Sequence, residues 1–311
     1  MKAKGCCVIT SSSAPLPSGT RIAGKWNKRV YVVERLLGEG ANGRVYLVRS
    51  GRTYAAMKTA FDPLDLQAEI NALKALESAD GIDPYLLDAD DGQAEGSSFS
   101  FYVMKYIHGV PLADFLASRG SDWFGIVARG LLERLCDLHR KGYIFGDLKP
   151  DNMLVTGYGR VELVDFGGVT RKGKAVRQFT EVWDRGFWKA GSRRADEGYD
   201  LFAFALVCIQ AADPLKELGQ PGGLPPERRN RKTLKDMLAR CRMNEAFKGI
   251  LREMIDGRLN SSERALAGWR QAMLAPPKAA APGEPLPLPW LAGALAVSAA
   301  LCLASIVWTL Q

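Results

Sequence analysis

The segment Phe145-Gly146-Asp147-Leu148-Lys149-Pro150-Asp151-Asn152 is followed, eighteen residues after its first aspartate, by Asp165-Phe166-Gly167. Between these two motifs, apolar runs at 153–155 and 161–164 flank a Thr-Gly-Tyr-Gly turn, which predicts a β-hairpin. Because a hairpin folds the chain back on itself, the polar side chains of the two motifs are expected to lie close together.

This set of side chains suits phosphoryl transfer, which needs positioning and charge neutralisation more than covalent chemistry. Asp147 can orient and deprotonate an attacking hydroxyl, and Lys149 can neutralise a phosphate as it transfers. Asn152 and Asp165 can hold Mg²⁺ or Mn²⁺. Standing alone, residues 147–152 are equally consistent with a polar turn, so the interpretation depends on the sequence that precedes them.

A glycine-rich loop lies upstream and reads Gly38-Glu39-Gly40-Ala41-Asn42-Gly43-Arg44-Val45. A dinucleotide-binding turn would need a helix after the glycines, whereas strand-like runs lie on both sides here. A glycine-rich hairpin can fold over a nucleotide triphosphate, because glycine lets backbone amides approach the phosphates. An ordinary hairpin turn is the alternative for this loop taken by itself.

A lysine and a glutamate complete the upstream pattern. Lys58 ends a third strand-like run, where it can reach the α- and β-phosphates of a nucleotide. Glu69 lies on a helix predicted over 64–76 from apolar residues at helical spacing, and it can hold that lysine. A solvated surface lysine is the alternative, but the apolar strand before Lys58 disfavours it.

In this order, the motifs resemble the eukaryotic-type (Hanks-type) protein kinase superfamily over about residues 26–274. The resemblance implies an α+β, bilobal fold, with a sheet-rich N-lobe and hinge over 26–107 and a helical C-lobe over 108–274. It implies ATP in the cleft and transfer of its γ-phosphate to Ser/Thr hydroxyls of protein substrates. Lys149 is typical of serine/threonine kinases rather than tyrosine or small-molecule kinases.

The resemblance also assigns the nucleotide site. Met104 would be the gatekeeper, Lys105 to Ile107 the hinge, and Asp200 the anchor beneath the catalytic loop. The adenine ring would lie among Val45, Ala56 and Leu154. The nucleotide-contacting set is Gly38, Glu39, Gly40, Ala41, Asn42, Gly43, Val45, Ala56, Lys58, Glu69, Met104, Lys105, Ile107 and Leu154.

Two departures from the family pattern bear on function. Phe145 and Gly146 replace the usual His and Arg, which puts control by activation-loop phosphorylation in doubt. The Ala-Pro-Glu motif is absent, and Ala195-Asp196-Glu197 is its nearest equivalent. The alternative is therefore a pseudokinase-type, membrane-tethered scaffold or polyanion-binding module, although retention of the charged residues argues for catalysis.

A narrower resemblance is to the YabT-type kinases of spore-forming bacteria, which implies a role in sporulation. It rests on Gly24-Lys25-Trp26, the Gly40-Ala41-Asn42-Gly43 loop, a short activation segment and a C-terminal apolar segment.

The two ends of the chain differ from the middle. Residues 1–25 are rich in Ser, Pro and Gly and are expected to be flexible. Residues 275–289 hold six prolines and predict an extended linker. Residues 290–310 carry no charge, and 21 residues span about 30 Å as a helix, enough to cross a bilayer. With Trp290 and Trp308 near its ends and the positive charge before it, this segment predicts a single-pass cell-membrane anchor with the kinase domain in the cytoplasm.

The whole chain has a formal net charge of +8, and its two clusters of basic residues both lie in the second half. Residues 171 to 194 include eight basic and two acidic residues, and a second basic cluster follows at 228–235. These clusters predict either a solvated face or contact with duplex DNA or anionic lipid.

A homodimer for trans-autophosphorylation is also expected, with Thr170, Thr180 and Ser192 as candidate sites. Six cysteines without a CxxC pair and two histidines predict no structural metal site.

Overall fold

The computed structural model describes residues 7–8, 14–40, 42–77, 85–94, 97–177, 179–219 and 224–274. The first lobe consists of strands and one helix. Its elements are β1 Cys7–Val8, β2 Arg21–Gly24, β3 Val30–Gly40, β4 Gly43–Ser50, β5 Thr53–Ala60, α1 Pro63–Glu77, β6 Leu86–Ala94 and β7 Ser97–Lys105.

The strands of this N-lobe form one sheet in the order β1-β7-β5-β4-β3-β2-β6, and β6 also pairs with β7. Strands β2 to β7 therefore make a closed ring of antiparallel pairs, and β1 adds to β7 in parallel. Side chains fill the interior of so small a ring. They are Ile22, Tyr31, Val33, Tyr46, Val48, Ala55, Met57, Phe99, Phe101 and Val103.

The closure of the sheet differs from the sequence-based expectation, which placed residues 21–24 in a flexible segment. Instead β2 pairs with β3 and β6, because Ile22 is fully buried in the lobe interior. The adjoining turn is fastened by Asp90, whose carboxylate accepts the backbone N–H groups of Trp26 and Asn27 at 3.1 and 2.9 Å. These backbone hydrogen bonds outweigh the effect of burial and hold the pKa of Asp90 below its ordinary value.

The second lobe is mainly helical. Its elements are α2 Leu112–Arg119, α3 Phe124–Arg140, β8 Tyr143–Ile144, β9 Met153–Thr156, β10 Arg160–Leu163, β11 Thr170–Arg171, α4 Glu197–Ala212, α5 Arg231–Arg240, α6 Glu245–Ile255 and α7 Ser262–Leu274. The predicted hairpin is present, since β9 and β10 pair antiparallel from Met153↔Leu163 to Thr156↔Arg160.

Helix α4 is the centre of this C-lobe. Every residue from Tyr199 to Ile209 is buried, as the nearly continuous apolar run predicts. Asp196 caps the first turn, and its side chain accepts the backbone N–H of Tyr199 at 2.9 Å. The helix therefore provides a fixed base beneath the loop that carries the catalytic motif.

Within the described ranges, no helix is long and apolar enough to cross a membrane. The predicted linker at 275–289 and the predicted membrane segment at 290–310 lie outside those ranges.

Candidate active site

Lys58 lies at the centre of the cleft on β5, and only 5% of it is exposed. Its ammonium group contacts both carboxylate oxygens of Glu69 at 3.0 and 2.8 Å and an oxygen of Asp165 at 2.7 Å. The hydroxyl of Tyr102 donates to Glu69 at 2.8 Å. The structure thus brings the Lys58–Glu69 pair of β5 and α1 into contact with Asp165, which lies 107 residues after Lys58.

The charges of Lys58 and Asp165 stabilise each other, whereas burial raises the pKa of Glu69, which the charge of Lys58 only partly offsets. Burial disfavours the charged form of Lys58, but the two carboxylates outweigh it and hold the pKa of Lys58 above its ordinary value. Burial also opposes the ionised form of Asp165, yet the nearby Lys58 charge lowers the pKa of that carboxyl. Lys58 is therefore a cation and Asp165 an anion at neutral pH, as binding of phosphate and Mg²⁺ requires.

The glycine-rich loop is the turn between β3 and β4. Gly38 and Gly40 have open space where a side chain would stand, while Gly43 lies against the backbone of Thr59, so a Cβ there would clash. The loop is tied across its base by Arg44 and Glu39, whose Nε and Oε2 atoms are 2.9 Å apart. Asn42 is half-buried beside this base, and the predicted contact residue Ala41 lies outside the described residues.

Two of the three predicted adenine residues, Val45 and Ala56, share one apolar cluster with Met104. Ala56 and Met104 are buried, stand opposite each other on β5 and β7, and belong to one cluster with Val45. Leu154 is half-buried on β9, below the hinge. In the hinge, Lys105 is exposed and Ile107 is half-buried. Val45 pairs with Lys58 across β4 and β5, so this apolar cluster adjoins the lysine, and its contact with an adenine ring stays a prediction.

Asp147 is held by three donors. Thr180 donates its hydroxyl to Oδ1 at 3.0 Å, Lys149 donates to Oδ2 at 2.9 Å, and Asn152 donates its amide to Oδ2 at 3.2 Å. The Lys149 ammonium group also contacts the Thr180 hydroxyl at 2.9 Å. A carboxylate has about four acceptor positions, so one remains for a substrate hydroxyl.

The catalytic loop rests on a buried aspartate, as predicted. Asp200 is fully buried and accepts the backbone N–H groups of Phe145 and Gly146 at 2.7 and 2.9 Å. Nε2 of the buried His139 lies 2.9 Å from the same carboxylate. Asp200 thus fixes the backbone immediately before Asp147.

The two unusual residues before Asp147 have a structural role. The ring of Phe145 contacts Phe166 edge to face, 5.9 Å between centroids, and Phe166 contacts Tyr85 at 5.0 Å. This aromatic stack links the catalytic loop to the segment that precedes β6. Gly146 has a positive φ of 81°, and a Cβ there would lie 2.5 Å from the carbonyl oxygen of Gly168. An arginine at this position would clash with the backbone that follows Asp165.

Sequence reasoning missed the position of Thr180, which it offered only as an autophosphorylation candidate. It also missed Asp184, a fully buried carboxylate bound by Arg193 at 2.7 Å and by the Tyr199 hydroxyl at 2.9 Å. Asp196, in the nearest equivalent of the missing motif, pairs with Arg185 at 2.7 Å. These contacts fix the segment that ends in α4, and no sequence spacing indicates them.

The donor set fits a magnesium ion that arrives with a nucleotide. Within the part of the chain that the structure describes, no group of three or more His, Cys, Asp or Glu side chains is placed to hold a metal. Asn152 and Asp165 are brought together because the N–H of Val164 donates to the Asn152 carbonyl at 2.9 Å. Mg²⁺ commonly takes one or two protein oxygens and completes its shell with phosphates and water.

Comparison with known proteins places the chain in a family. A model of the protein kinase domain matches residues 31–211, so the chain belongs to the protein kinase domain family. It is 40% identical to the serine/threonine-protein kinase YabT of Bacillus subtilis (strain 168) over 220 residues, 68% of this chain and 65% of that protein. The sequence-based prediction of a Hanks-type kinase is confirmed, and this identity supports the YabT group within it.

More distant relatives share less of the chain. The probable serine/threonine-protein kinase pknA2 of Bifidobacterium longum (strain NCC 2705) is 32% identical over 44% of this chain and 19% of that protein. The Rho-associated protein kinase let-502 of Caenorhabditis briggsae is 30% identical over 43% of this chain and 12% of that protein. The matched region therefore spans less than two thirds of the length of each of these relatives.

Proposed function

We propose that this protein transfers the γ-phosphate of ATP to serine and threonine hydroxyls of protein substrates. One observation carries the proposal. Two carboxylates of the cleft, Asp147 and Asp165, are each paired with a lysine, at 2.9 Å for Lys149 and 2.7 Å for Lys58, and Asn152 lies between them. The Asp147–Lys149 pair is suited to bind the substrate hydroxyl, and the Asp165–Lys58 pair is suited to bind the polyphosphate.

The chemistry follows from these positions. The remaining acceptor site of Asp147 binds the substrate hydroxyl and takes its proton as the hydroxyl oxygen attacks the γ-phosphorus. A bond forms between these two atoms, the bond from the γ-phosphorus to the β–γ bridging oxygen breaks, and ADP leaves. Lys149 neutralises charge on the transferring group, and Lys58 orients the α- and β-phosphates. Asn152 and Asp165 would hold Mg²⁺, which offsets phosphate charge when bound.

Thr180 orients the carboxylate of the base, Asp147. Its hydroxyl fills one position of the Asp147 carboxylate, so the substrate hydroxyl is directed to the position left open. The contact from Lys149 to the same hydroxyl joins the base and the cation into one unit. This geometry supports transfer to a hydroxyl on a protein segment lying along residues 179–182.

The test uses the full-length chain with Mg²⁺, γ-labelled ATP and a mixture of acidic and basic unfolded acceptor proteins. We expect label on phosphoserine and phosphothreonine after acid hydrolysis, and a loss of about 100-fold or more in Asp165→Asn. Asp137→Asn is the matched control, because Asp137 is an exposed aspartate on α3 whose side chain is 57% exposed. Label on tyrosine or only on small molecules, or equal rates in both variants, would contradict the proposal.

Membrane anchoring is a separate part of the proposal. The 21 uncharged residues at 290–310 behind a proline-rich linker support a single-pass anchor with the catalytic domain in the cytoplasm. We expect the full chain to stay with membranes after alkaline extraction and a chain ending at Leu274 to be released. Release of the full chain would refute the anchor.

A polyanion ligand and self-association remain predictions. The net positive charge supports stimulation by duplex DNA or anionic lipid, and the candidate threonines support trans-autophosphorylation in a homodimer. A rate of autophosphorylation that rises with protein concentration and with added DNA or vesicles, and that falls at high salt, would bear these out. A rate independent of all three would exclude them.

A further inference from the structure

The fold sorts the basic residues between 171 and 194 into two groups. Three of the eight form ion pairs within the C-lobe: Lys172 with Glu197, Arg185 with Asp196 and Arg193 with Asp184. In the stretches that the structure describes, the other five are exposed and form no ion pair. They are Arg171, Lys174, Arg177, Lys189 and Arg194.

Four of these five cations lie on a short two-stranded ribbon formed by residues 171–177 and 193–195, here called the basic ribbon. The backbone N–H of Gly173 donates to Ala195 at 2.7 Å, that of Ala195 to Lys174 at 2.8 Å, and that of Val176 to Arg193 at 2.9 Å. At its start, β11 pairs with β8, directly before the catalytic loop. The four cations are Arg171, Lys174, Arg177 and Arg194.

The basic ribbon leads directly to the acceptor site. Arg177 precedes Thr180 by three residues, so their backbones are at most about 11 Å apart. Arg193 stacks over the ring of Phe179 at 4.1 Å, which holds the end of the ribbon next to the threonine that contacts Asp147. An extended substrate covers the same distance in three or four residues.

The second basic cluster, at 228–235, is partly neutralised: two of its five cations form ion pairs, and a third is held by a backbone carbonyl. Arg228 pairs with Glu217 at 2.5 Å, Lys235 pairs with Asp256 at 2.9 Å, and Arg231 donates to the Ala190 carbonyl at 2.6 Å. More of the exposed cations without an ion pair therefore lie in the 171–194 stretch, beside the acceptor site, than in the second cluster. The exposed acids closest to that site in sequence are Asp151 and Glu181, fewer than the ribbon cations.

We propose that the basic ribbon selects protein substrates with aspartate or glutamate within about four residues of the acceptor hydroxyl. This inference rests on the proposed kinase function and names its substrate class. A protein segment is favoured over nucleic acid because the cations are continuous with the site where the acceptor hydroxyl must bind. The ribbon residues 171–177 and 193–195 include no aromatic side chain, so stacking of unpaired bases on the ribbon is not supported.

The test measures phosphorylation of a peptide array by the full-length chain. Each peptide has one central serine in a neutral background, and one or two of the flanking positions are Asp, Asn or Lys. The wild type is compared with the double variant Lys174→Glu/Arg177→Glu. Lys232→Glu is the matched control, because Lys232 is an exposed lysine of the second cluster.

We expect Asp to raise kcat/KM about 5-fold over Asn at one or two positions, and two acidic residues to raise it about 10-fold or more at low salt. The double variant should lose this preference or invert it toward Lys, while its rate on the neutral peptide stays within about twofold. Lys232→Glu should behave as the wild type does.

Four results would overturn the inference. A flat array in the wild type, or an acidic preference that survives in the double variant, would show that the ribbon does not select substrates. Stimulation by duplex DNA that the double variant loses, with a flat array, would make the ribbon a nucleic-acid site. Absence of label on every peptide and on the protein itself would instead refute the kinase function, and the inference with it.

Discussion

Replacing Gly146 by alanine should impair catalysis far more than stability. Gly146 has φ of 81°, a conformation that costs an alanine about 1–2 kcal/mol. The added Cβ would also lie 2.5 Å from the carbonyl oxygen of Gly168, so one of the two backbones must move by about an ångström to reach ordinary contact. Asp147 follows Gly146 directly and packs against Gly168, so this movement displaces the base.

A matched control separates the effect of the Gly146 clash on catalysis from the effect of backbone strain. Gly142 has φ of 79°, and no atom lies within 4 Å of where its Cβ would be. Gly142→Ala therefore bears the same 1–2 kcal/mol of strain without the clash. We expect Tm to fall by about 2–8 °C in Gly142→Ala with kcat within about twofold of the wild type. In Gly146→Ala, kcat should fall about 100-fold, as expected for misplacement by about an ångström.

The assay is single-turnover transfer from γ-labelled ATP to a serine peptide at saturating nucleotide, with Tm measured on the same preparations. Single-turnover rates report the chemical step rather than product release. Equal single-turnover rate constants for the two alanine variants would refute the reasoning. Wild-type activity in Gly146→Arg would also refute the reasoning, since an arginine at this position has a Cβ that meets the same Gly168 carbonyl.

Three further predictions follow from single contacts. Thr180→Ala should lower kcat about 10- to 100-fold by removing a hydrogen bond to a carboxylate, while Thr180→Ser should retain most activity; equal loss in both would show that the hydroxyl is not responsible. Lys58→Met leaves two carboxylates unpaired, so it should lower the free energy of unfolding by about 3–5 kcal/mol. It should also abolish binding of a fluorescent ATP analogue. Lys74→Met, at an exposed site on α1, should have neither effect. Burial opposes the charge of Asp213, but Arg240 at 2.8 Å holds the pKa of its carboxyl below the ordinary value. The contribution of Asp213 to stability is therefore present above the unfolded pKa and is lost as pH falls through the lower folded pKa. Tm should drop less between pH 6 and pH 3 in Asp213→Asn than in the wild type, and parallel drops would contradict this.

The sequence predicted the parts of the site that are encoded by local pattern. The 153–163 hairpin and the apolar helix around Leu206 follow from residue periodicity. The Lys58–Glu69 pair follows from a lysine at a strand end and a glutamate on the next helix. In each case the partners are close in sequence or lie within one regular element.

Apart from the Asp200 anchor, which the family resemblance implies, contacts between distant segments could not be predicted. Strand β6 is rich in aspartate, which disfavours strands, and it forms because those side chains bind the 26–29 turn and close the N-lobe sheet. Residues 21–24 read as part of a flexible segment because only Ile22 signals burial. The hydroxyl of Thr180 reaches Asp147 through the folding of the whole activation segment, and no motif spacing specifies that.

The most direct test of phosphoryl transfer at Asp147 measures ATP binding and transfer separately in one variant. The full-length Asp147→Asn protein should bind Mg²⁺-ATP within about threefold of the wild-type Kd, because Lys58 and Asp165 are unchanged. Its transfer of label to serine and threonine should fall by about 1,000-fold or more, since the group that takes the proton is lost. Asp151→Asn, at an exposed aspartate of the same loop, should retain both. Binding without transfer in the wild type itself, or unchanged transfer in Asp147→Asn, would contradict the account.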